Sequence, residues 1–345
     1  VGIKKKYGIL ALLLVLICAG AGIVEDERPL FEVPPKWPKP IYDFSKNALT
    51  QAGFKLGRKL FFDPLLSKDS SVSCSSCHLQ FTGFTHVDHA LSHGINGLKG
   101  TRNSMALINL AWNNSFMWDG GVNNLEVQPL NPITSQTEMD ETLEHVVFKL
   151  NRSAAYRKRF LLAFGDSLIT GQRVLKALAQ FAVALESYNS KYDKHIRHEP
   201  GSAFTPEEER GLRLFRAHCD GCHKEPLFMS NTFENNGLPA DKELKDIGRM
   251  KITGNPDDSL KFRVPTLRNI SVSYPYMHDG RFHSLGQVLD HYTSGIMQSR
   301  TLAKQLRHGL SLTDDDKKDL ILFLQTLTDK DFLFDLRFRD YVIEK

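Results

Sequence analysis

The chain has 345 residues, 41% of them hydrophobic, and a formal net charge of +4. That length is enough for two cores and that hydrophobic content is ordinary for a globular protein. The charge is too slight to argue for a nucleic-acid partner, and part of it sits in Lys4, Lys5 and Lys6.

Those lysines precede an apolar run from Ile9 to Ile17, too short to span a bilayer comfortably, and then the small residues Ala19-Gly20-Ala21. Basic, apolar and small in that order reads as a secretory signal over residues 1–22. Cys18 ends the run where a lipid-carrying cysteine would stand, although Ile17 is bulky for that role. It is read as lipid-modified, removed with the signal, or part of an uncleaved anchor.

Further on, Gly57-Arg58-Lys59-Leu60-Phe61 stands ahead of Cys74-Ser75-Ser76-Cys77-His78. The same G-x-x-L-F pattern, Gly211-Leu212-Arg213-Leu214-Phe215, stands ahead of Cys219-Asp220-Gly221-Cys222-His223. These pentads use four of the five cysteines. Cys-x-x-Cys-His is the attachment signature of c-type haem: two thiols bond the porphyrin vinyl groups and the adjacent histidine becomes the proximal iron ligand. Structural zinc shows clustered spacings that are absent here, and cysteines three apart seldom bridge. Two covalently bound haems are expected, on Cys74, Cys77 and His78 and on Cys219, Cys222 and His223. Attachment of such haem outside the bacterial cytoplasmic membrane agrees with export and places the mature protein in the periplasm.

The repetition predicts a duplication. Each copy closes with a helix. Val174, Leu175, Leu178, Phe181, Ala182 and Leu185 recur at helical spacing, as do Leu320, Ile321, Phe323, Leu324 and Leu327 after the cap Thr313-Asp314-Asp315-Asp316. Thr205, Pro206 and Glu208 spell a capping box for the helix before the second pentad. Strand alternation is scarce. The expected fold is all-α: two cytochrome c-like haem domains, residues 40–195 and 203–345, packed around an inter-haem interface, with the polar stretch Ser187 to Ser202 as boundary.

Read alone, the remaining polar residues stay ambiguous. Glu138 is an acid in the polar turn Ser135-Gln136-Thr137-Glu138, Gln128 a loop amide, Trp118 and Trp112 core aromatics, His93 a solvent histidine beside His86 and His89, and Tyr292 a packed helix residue. Their order resolves part of this. Arg102-Asn103-Ser104, Phe116-Met117-Trp118-Asp119-Gly120, Gln128, Glu138-Met139, Arg263-Val-Pro-Thr-Leu-Arg-Asn269 and Pro275-Tyr276-Met277-His278-Asp279-Gly280 follow one another between and after the pentads. In this order, over roughly residues 45 to 330, the chain closely resembles the bacterial di-haem cytochrome c peroxidases, a family that includes the MauG-like oxidases.

The resemblance implies that the amino-terminal haem reacts with hydrogen peroxide, with His78 proximal and Gln128 and Glu138 on its open face. Splitting an O–O bond requires moving a proton between the two oxygens, which a carboxyl group in a poorly solvated pocket can do; Glu138 is the candidate. Trp118 matches the family's tryptophan between the haems, whose oxidisable ring assists electron passage. Asn103 with the carbonyls of Ser273 and Pro275 matches a calcium site, and oxygen-only donors suit Ca²⁺. His93 matches, slightly displaced, a histidine that ligates the first haem at rest and swings away, with Gly94, Gly97 and Gly100 making its loop mobile.

The second haem divides the readings. Peroxidases of the family ligate it with His and Met, and MauG-like members with His and Tyr. At the matching place stands Tyr292, a hard anionic donor that lowers the potential, while Met277 and Met297 lie near enough in sequence to serve instead. Gly121 replaces an arginine commonly found after Trp-Asp-Gly.

The implied activity is reduction of hydrogen peroxide to water, with electrons from reduced cytochrome c or a small copper protein. The alternatives are a MauG-like oxidase of a protein side chain and a di-haem electron carrier. Family peroxidases are often homodimers.

Overall fold

The computed structural model describes residues 28–340, so the signal reading of residues 1–22, with Cys18, lies outside the described residues. Of Val1–Leu30, residues 28–30 are described and form bends. From Phe31 to Asp340 the chain forms one compact unit.

That unit is mostly helical. In chain order the helices are α1 Gln51–Phe62, α2 Leu130–Thr134, α3 Leu143–Asn151, α4 Ala154–Phe164, α5 Gly171–Val183, α6 Lys191–Ile196, α7 Pro206–His218, α8 Met250–Thr253, α9 Leu285–Asp290, α10 Asp314–Gln325 and α11 Lys330–Leu333. The all-α expectation needs one amendment. β1 Phe233–Glu234 and β2 Phe262–Arg263 pair antiparallel, with Phe233 opposite Arg263. Two residues per strand are too few to show the alternation by which a strand is recognised in sequence.

Two helix pairs carry the core. α1 packs on α5, and α7 packs on α10. Thr50 caps α1 by accepting from the Gly53 N–H, and the Thr205–Glu208 and Thr313–Asp316 capping boxes open α7 and α10 as expected. The glycine of each G-x-x-L-F pattern is where the helices touch. A Cβ on Gly57 would lie 1.9 Å from the Ala177 carbonyl oxygen, and one on Gly211 would lie 2.1 Å from that of Asp319. Beside each crossing stand three buried phenylalanines. Phe61, Phe84 and Phe181 have centroids 4.9–6.2 Å apart, and Phe215, Phe228 and Phe323 have centroids 5.2–6.2 Å apart.

The duplication extends further than the pentads. Asn109, Met117, Trp118, Asp119 and Gly120 recur as Asn269, Met277, His278, Asp279 and Gly280 at identical internal spacing. Both asparagines, both methionines and both glycines have positive φ. Each turn is closed by a 2.7 Å hydrogen bond, from Phe116 N–H to the Val122 carbonyl and from Tyr276 N–H to the Phe282 carbonyl. Each asparagine also ties its copy to the end of the closing helix: Asn109 N–H donates to the Leu185 carbonyl and Asn269 N–H to that of Leu327.

The stretch Ser187–Ser202 is no loose linker. Ser190 and Asp193 form a capping box that starts α6, and Asp193 is paired with the fully buried Arg268 by two 2.8 Å bonds. The polar composition that suggested a boundary reflects a cap and a buried ion pair. Among the described residues no helix is long and apolar enough to cross a membrane.

Candidate active site

Two of the cavities in this frame each contain one pentad. The first, of about 500 Å³, is lined by Cys74, Cys77 and His78 together with His93, Trp118, Gln128 and Glu138. The second, of about 230 Å³, is lined by Cys219, Cys222 and His223 together with Tyr292, Met277 and His278. Asn103, Ser104, Met105, Ala106, Trp118 and Arg263 line both, so a single thin wall separates the cavities.

The donor sets fit covalently held haem. The four pentad cysteines form no disulfide, and each pair lines its own cavity beside its histidine. Among the described residues no three His, Cys, Asp or Glu side chains gather as a metal cage. The His78 Nδ1–H donates to the Phe84 carbonyl at 2.7 Å, and the His223 Nδ1–H is shared between the carbonyls of Phe228 (3.2 Å) and Pro265 (3.0 Å). Phe84 and Phe228 both have positive φ, 57° and 53°, a sparsely populated conformation for a bulky residue. It recurs where each carbonyl meets its histidine. A backbone acceptor on Nδ1 fixes the tautomer and leaves Nε2 as the nitrogen for iron. Burial lowers the pKa of both histidines, His223 to about 4, so both are neutral and able to ligate.

Glu138 projects into the first cavity from the turn after α2. Its backbone N–H donates to the Ser135 carbonyl at 3.0 Å, and burial raises its carboxyl pKa. Gln128 shares the cavity, its Nε2 3.7 Å from Met117 Sδ. The loop after His93 is bound to the Glu138 turn. Ile95 N–H donates to the Glu138 carbonyl at 2.8 Å, and a Cβ on Gly94 would lie 2.2 Å from the Thr137 carbonyl oxygen. Gly94 is thus demanded by close packing rather than by loop mobility. His93 itself lies at the cavity edge, its ring 4.0 Å from that of His89, which in turn stacks on His86 at 5.0 Å.

Trp118 is clamped within the wall. Its Nε1–H donates to the Asn103 carbonyl at 2.8 Å, and its own carbonyl accepts from Arg263 N–H at 2.7 Å. Trp112 lies elsewhere, in a core cluster, as its role as a packing aromatic requires. Asn103, Ser273 and Pro275 are brought together along the second cavity. The Asn103 Nδ2–H donates to the Ala90 carbonyl at 2.9 Å, which commits the amide nitrogen and leaves Oδ1 as a donor for a cation.

Tyr292 enters the second cavity from a π-helical turn, His291–Gly295, that follows α9. Such turns mark functional sites more often than ordinary helix does. Burial pushes its phenol up to about 12. Met297, an alternative ligand by sequence, is 40% exposed and does not line the cavity. Met277 does line it, with its sulfur accepting from Asn236 Nδ2 at 3.4 Å.

Met117, Arg263 and His278 stood in the sequence only as parts of the ordered motifs, with no site role, and all three lie on cavity walls. The signal was present in the repeat of Asn-x7-Met-x-Asp-Gly, which pairs Trp118 with His278 and Met117 with Met277.

With this geometry, similarity to known proteins defines the class. The profile of the family described as di-haem cytochrome c peroxidase matches residues 51–201. Methylamine utilization protein MauG of Methylorubrum extorquens is 35% identical over 328 residues, 91% of this chain and 90% of that protein. Cytochrome c551 peroxidase of Nitrosomonas europaea is 32% identical over 324 residues, 93% of this chain and 90% of that protein. The chain therefore belongs to the di-haem cytochrome c peroxidase family, in which MauG and the peroxidases are both its relatives. Among solved structures, a MauG-like protein associated with microbial copper homeostasis superposes with a TM-score of 0.82 at 31% identity, over 90% of this chain and 99% of that one.

Proposed function

We propose that this chain is a periplasmic di-haem enzyme that reduces hydrogen peroxide to two molecules of water in the first cavity. The observation that carries the reading is Glu138, a carboxyl group with a burial-raised pKa in the same enclosed space as His78. Two haems, held by Cys74, Cys77 and His78 and by Cys219, Cys222 and His223 in the amino- and carboxy-terminal halves, supply the redox-active iron. Gln128 orients the peroxide. The Glu138 carboxylate accepts the proton of the near peroxide oxygen and delivers it to the far one, which departs as water. Two electrons and two protons complete the reaction. Trp118, in the wall between the cavities, conducts the electrons, and Asn103 with the carbonyls of Ser273 and Pro275 would hold a calcium ion beside it. A soluble electron carrier, cytochrome c or a small copper protein, is the donor in the peroxidase reading.

The place of Tyr292 in the second cavity, with Met297 at the surface, favours a second reading for the source of electrons. Tyr292 would supply a phenolate to the iron that His223 holds, and such a donor would give a low-potential centre that resists prior reduction. The electrons would then be withdrawn from a side chain of a partner protein, as in a MauG-like oxidase.

Stopped-flow mixing with peroxide tests both. Rapid oxidation of reduced cytochrome c supports the peroxidase, and its dependence on one electron added beforehand would remove Tyr292 as ligand. Peroxide consumption with no cytochrome oxidation supports the oxidase. A protein inert to peroxide refutes both readings and leaves an electron carrier.

A further inference from the structure

The motif Arg263-Val264-Pro265-Thr266-Leu267-Arg268 buries two guanidinium groups, and only one of these two has a partner. Arg268 is satisfied by Asp193 through two 2.8 Å bonds and by the Pro226 carbonyl. Arg263 is 5% exposed, yet its Nε and Nη1 are enclosed with no hydrogen-bond partner, and no carboxylate forms an ion pair with it among the described residues. The neighbouring acids are engaged elsewhere: Asp119 and Asp246 both pair with Arg102 at 2.6 Å.

A buried cation is costly unless an anion accompanies it, and a native fold keeps such a group for a purpose. Its position shows where the anion belongs. Arg263 lines both cavities, is fixed by its N–H to the Trp118 carbonyl at 2.7 Å, and sits on β2 opposite Phe233. In the duplicated frame it takes the place that Asn103 holds in the first copy, and both bond Trp118, Asn103 through its carbonyl to the indole N–H and Arg263 through its N–H to the Trp118 carbonyl. A haem brings two propionate carboxylates, and a planar guanidinium with several donors is the side chain best suited to carboxylates on more than one side.

We propose that Arg263 is a shared anchor that pairs with a propionate of each haem across the Trp118 wall. The inference rests on the reading of two haems per chain. One residue of positive charge then stabilises the reduced form of both centres and ties their positions to the tryptophan between them.

The test is made on the holoprotein, with haem counted by the pyridine haemochrome method before potentiometric titration of Arg263→Gln. Two haems per chain and a fall in both midpoint potentials, each equivalent to at least a tenfold change in the one-electron equilibrium or about 59 mV, is the expected result. Two haems with neither potential changed, or with only one changed, overturns the shared anchor. Fewer than two haems in the parent protein overturns the underlying reading instead. Should Arg263→Gln load haem poorly, Arg263→Lys replaces the planar fork with a single-point charge. Both potentials are then expected to shift, and either potential unmoved overturns the shared anchor.

Discussion

The indole of Trp118 and the imidazole of His278, counterparts in the two copies of one turn, meet near edge-on in the wall between the cavities, with centroids 6.5 Å apart at 72°. His278 is stacked on Phe262 at 3.7 Å and 14°, and its carbonyl accepts from Asn103 N–H at 2.7 Å. The rings here form one edge-on pair and one stacked pair, held in place by backbone bonds. Trp118→Phe keeps the shape and removes the easily oxidised ring. Electron transfer between the haems, followed by flash photolysis, is expected to slow at least about tenfold, or about 1.4 kcal/mol of activation free energy, with both haem spectra unchanged. An unchanged rate would leave Trp118 a structural residue.

Glu138→Gln preserves size and removes the proton carrier. Peroxide turnover is expected to fall roughly 10²–10⁴-fold, the usual worth of general acid–base catalysis, with haem content intact. Because burial raises the Glu138 pKa, the ionisation limb of the parent pH–rate profile is expected above the ordinary carboxylate range. The variant should lack that limb.

Tyr292→Met exchanges an anionic oxygen donor for a neutral thioether. The second haem's midpoint potential is expected to rise, since loss of the phenolate removes stabilisation of the ferric state. Spectropotentiometry checks this, and an unmoved potential would pass the ligand role to another residue such as Met277.

Gly57→Ala and Gly211→Ala each put a methyl group where a facing backbone carbonyl already stands, at 1.9 Å and 2.1 Å. Each is expected to destabilise by about 1–3 kcal/mol, the usual cost of overpacking. Thermal unfolding of the holoprotein reads this directly, and similar losses at the two sites would match their equivalent places in the duplication.

Glu186 supplies a pH dependence outside the cavities. Burial raises its pKa to about 8, its Oε1 is enclosed without a partner, and its Oε2 accepts from Glu32 N–H at 2.8 Å. A carboxyl pKa raised on folding contributes stability that is complete below the unfolded value near 4.5 and is lost as pH rises through about 8. Glu186→Gln is expected to stabilise the protein at pH 8.5, on the order of 2 kcal/mol, and to change little at pH 4. Equal effects at both pH values would contradict the assignment.

What could be read in the sequence follows from how local each device is. The pentads, the Thr205 and Thr313 caps and the helices they start are spelled by residues within a turn or two of one another. Glu138, Gln128 and Trp118 converge through tertiary packing, and only their order resembled a family pattern. Gly94 looked like a hinge because a glycine needed for close packing and a glycine needed for motion are the same letter. Arg263 and Arg268 stand five apart in one motif, and only the fold reveals that one has an acid beside it and the other has none.

The segment Asn103–Ala106 belongs to the first copy and Arg263 to the second, yet each lines both cavities. Neither half is therefore a complete vessel: cut between Ser187 and Ser202, each would lose a side of its own haem pocket to the other. Duplication here has ended in mutual dependence, so that the ancestral single-haem unit can no longer be recovered simply by dividing the chain.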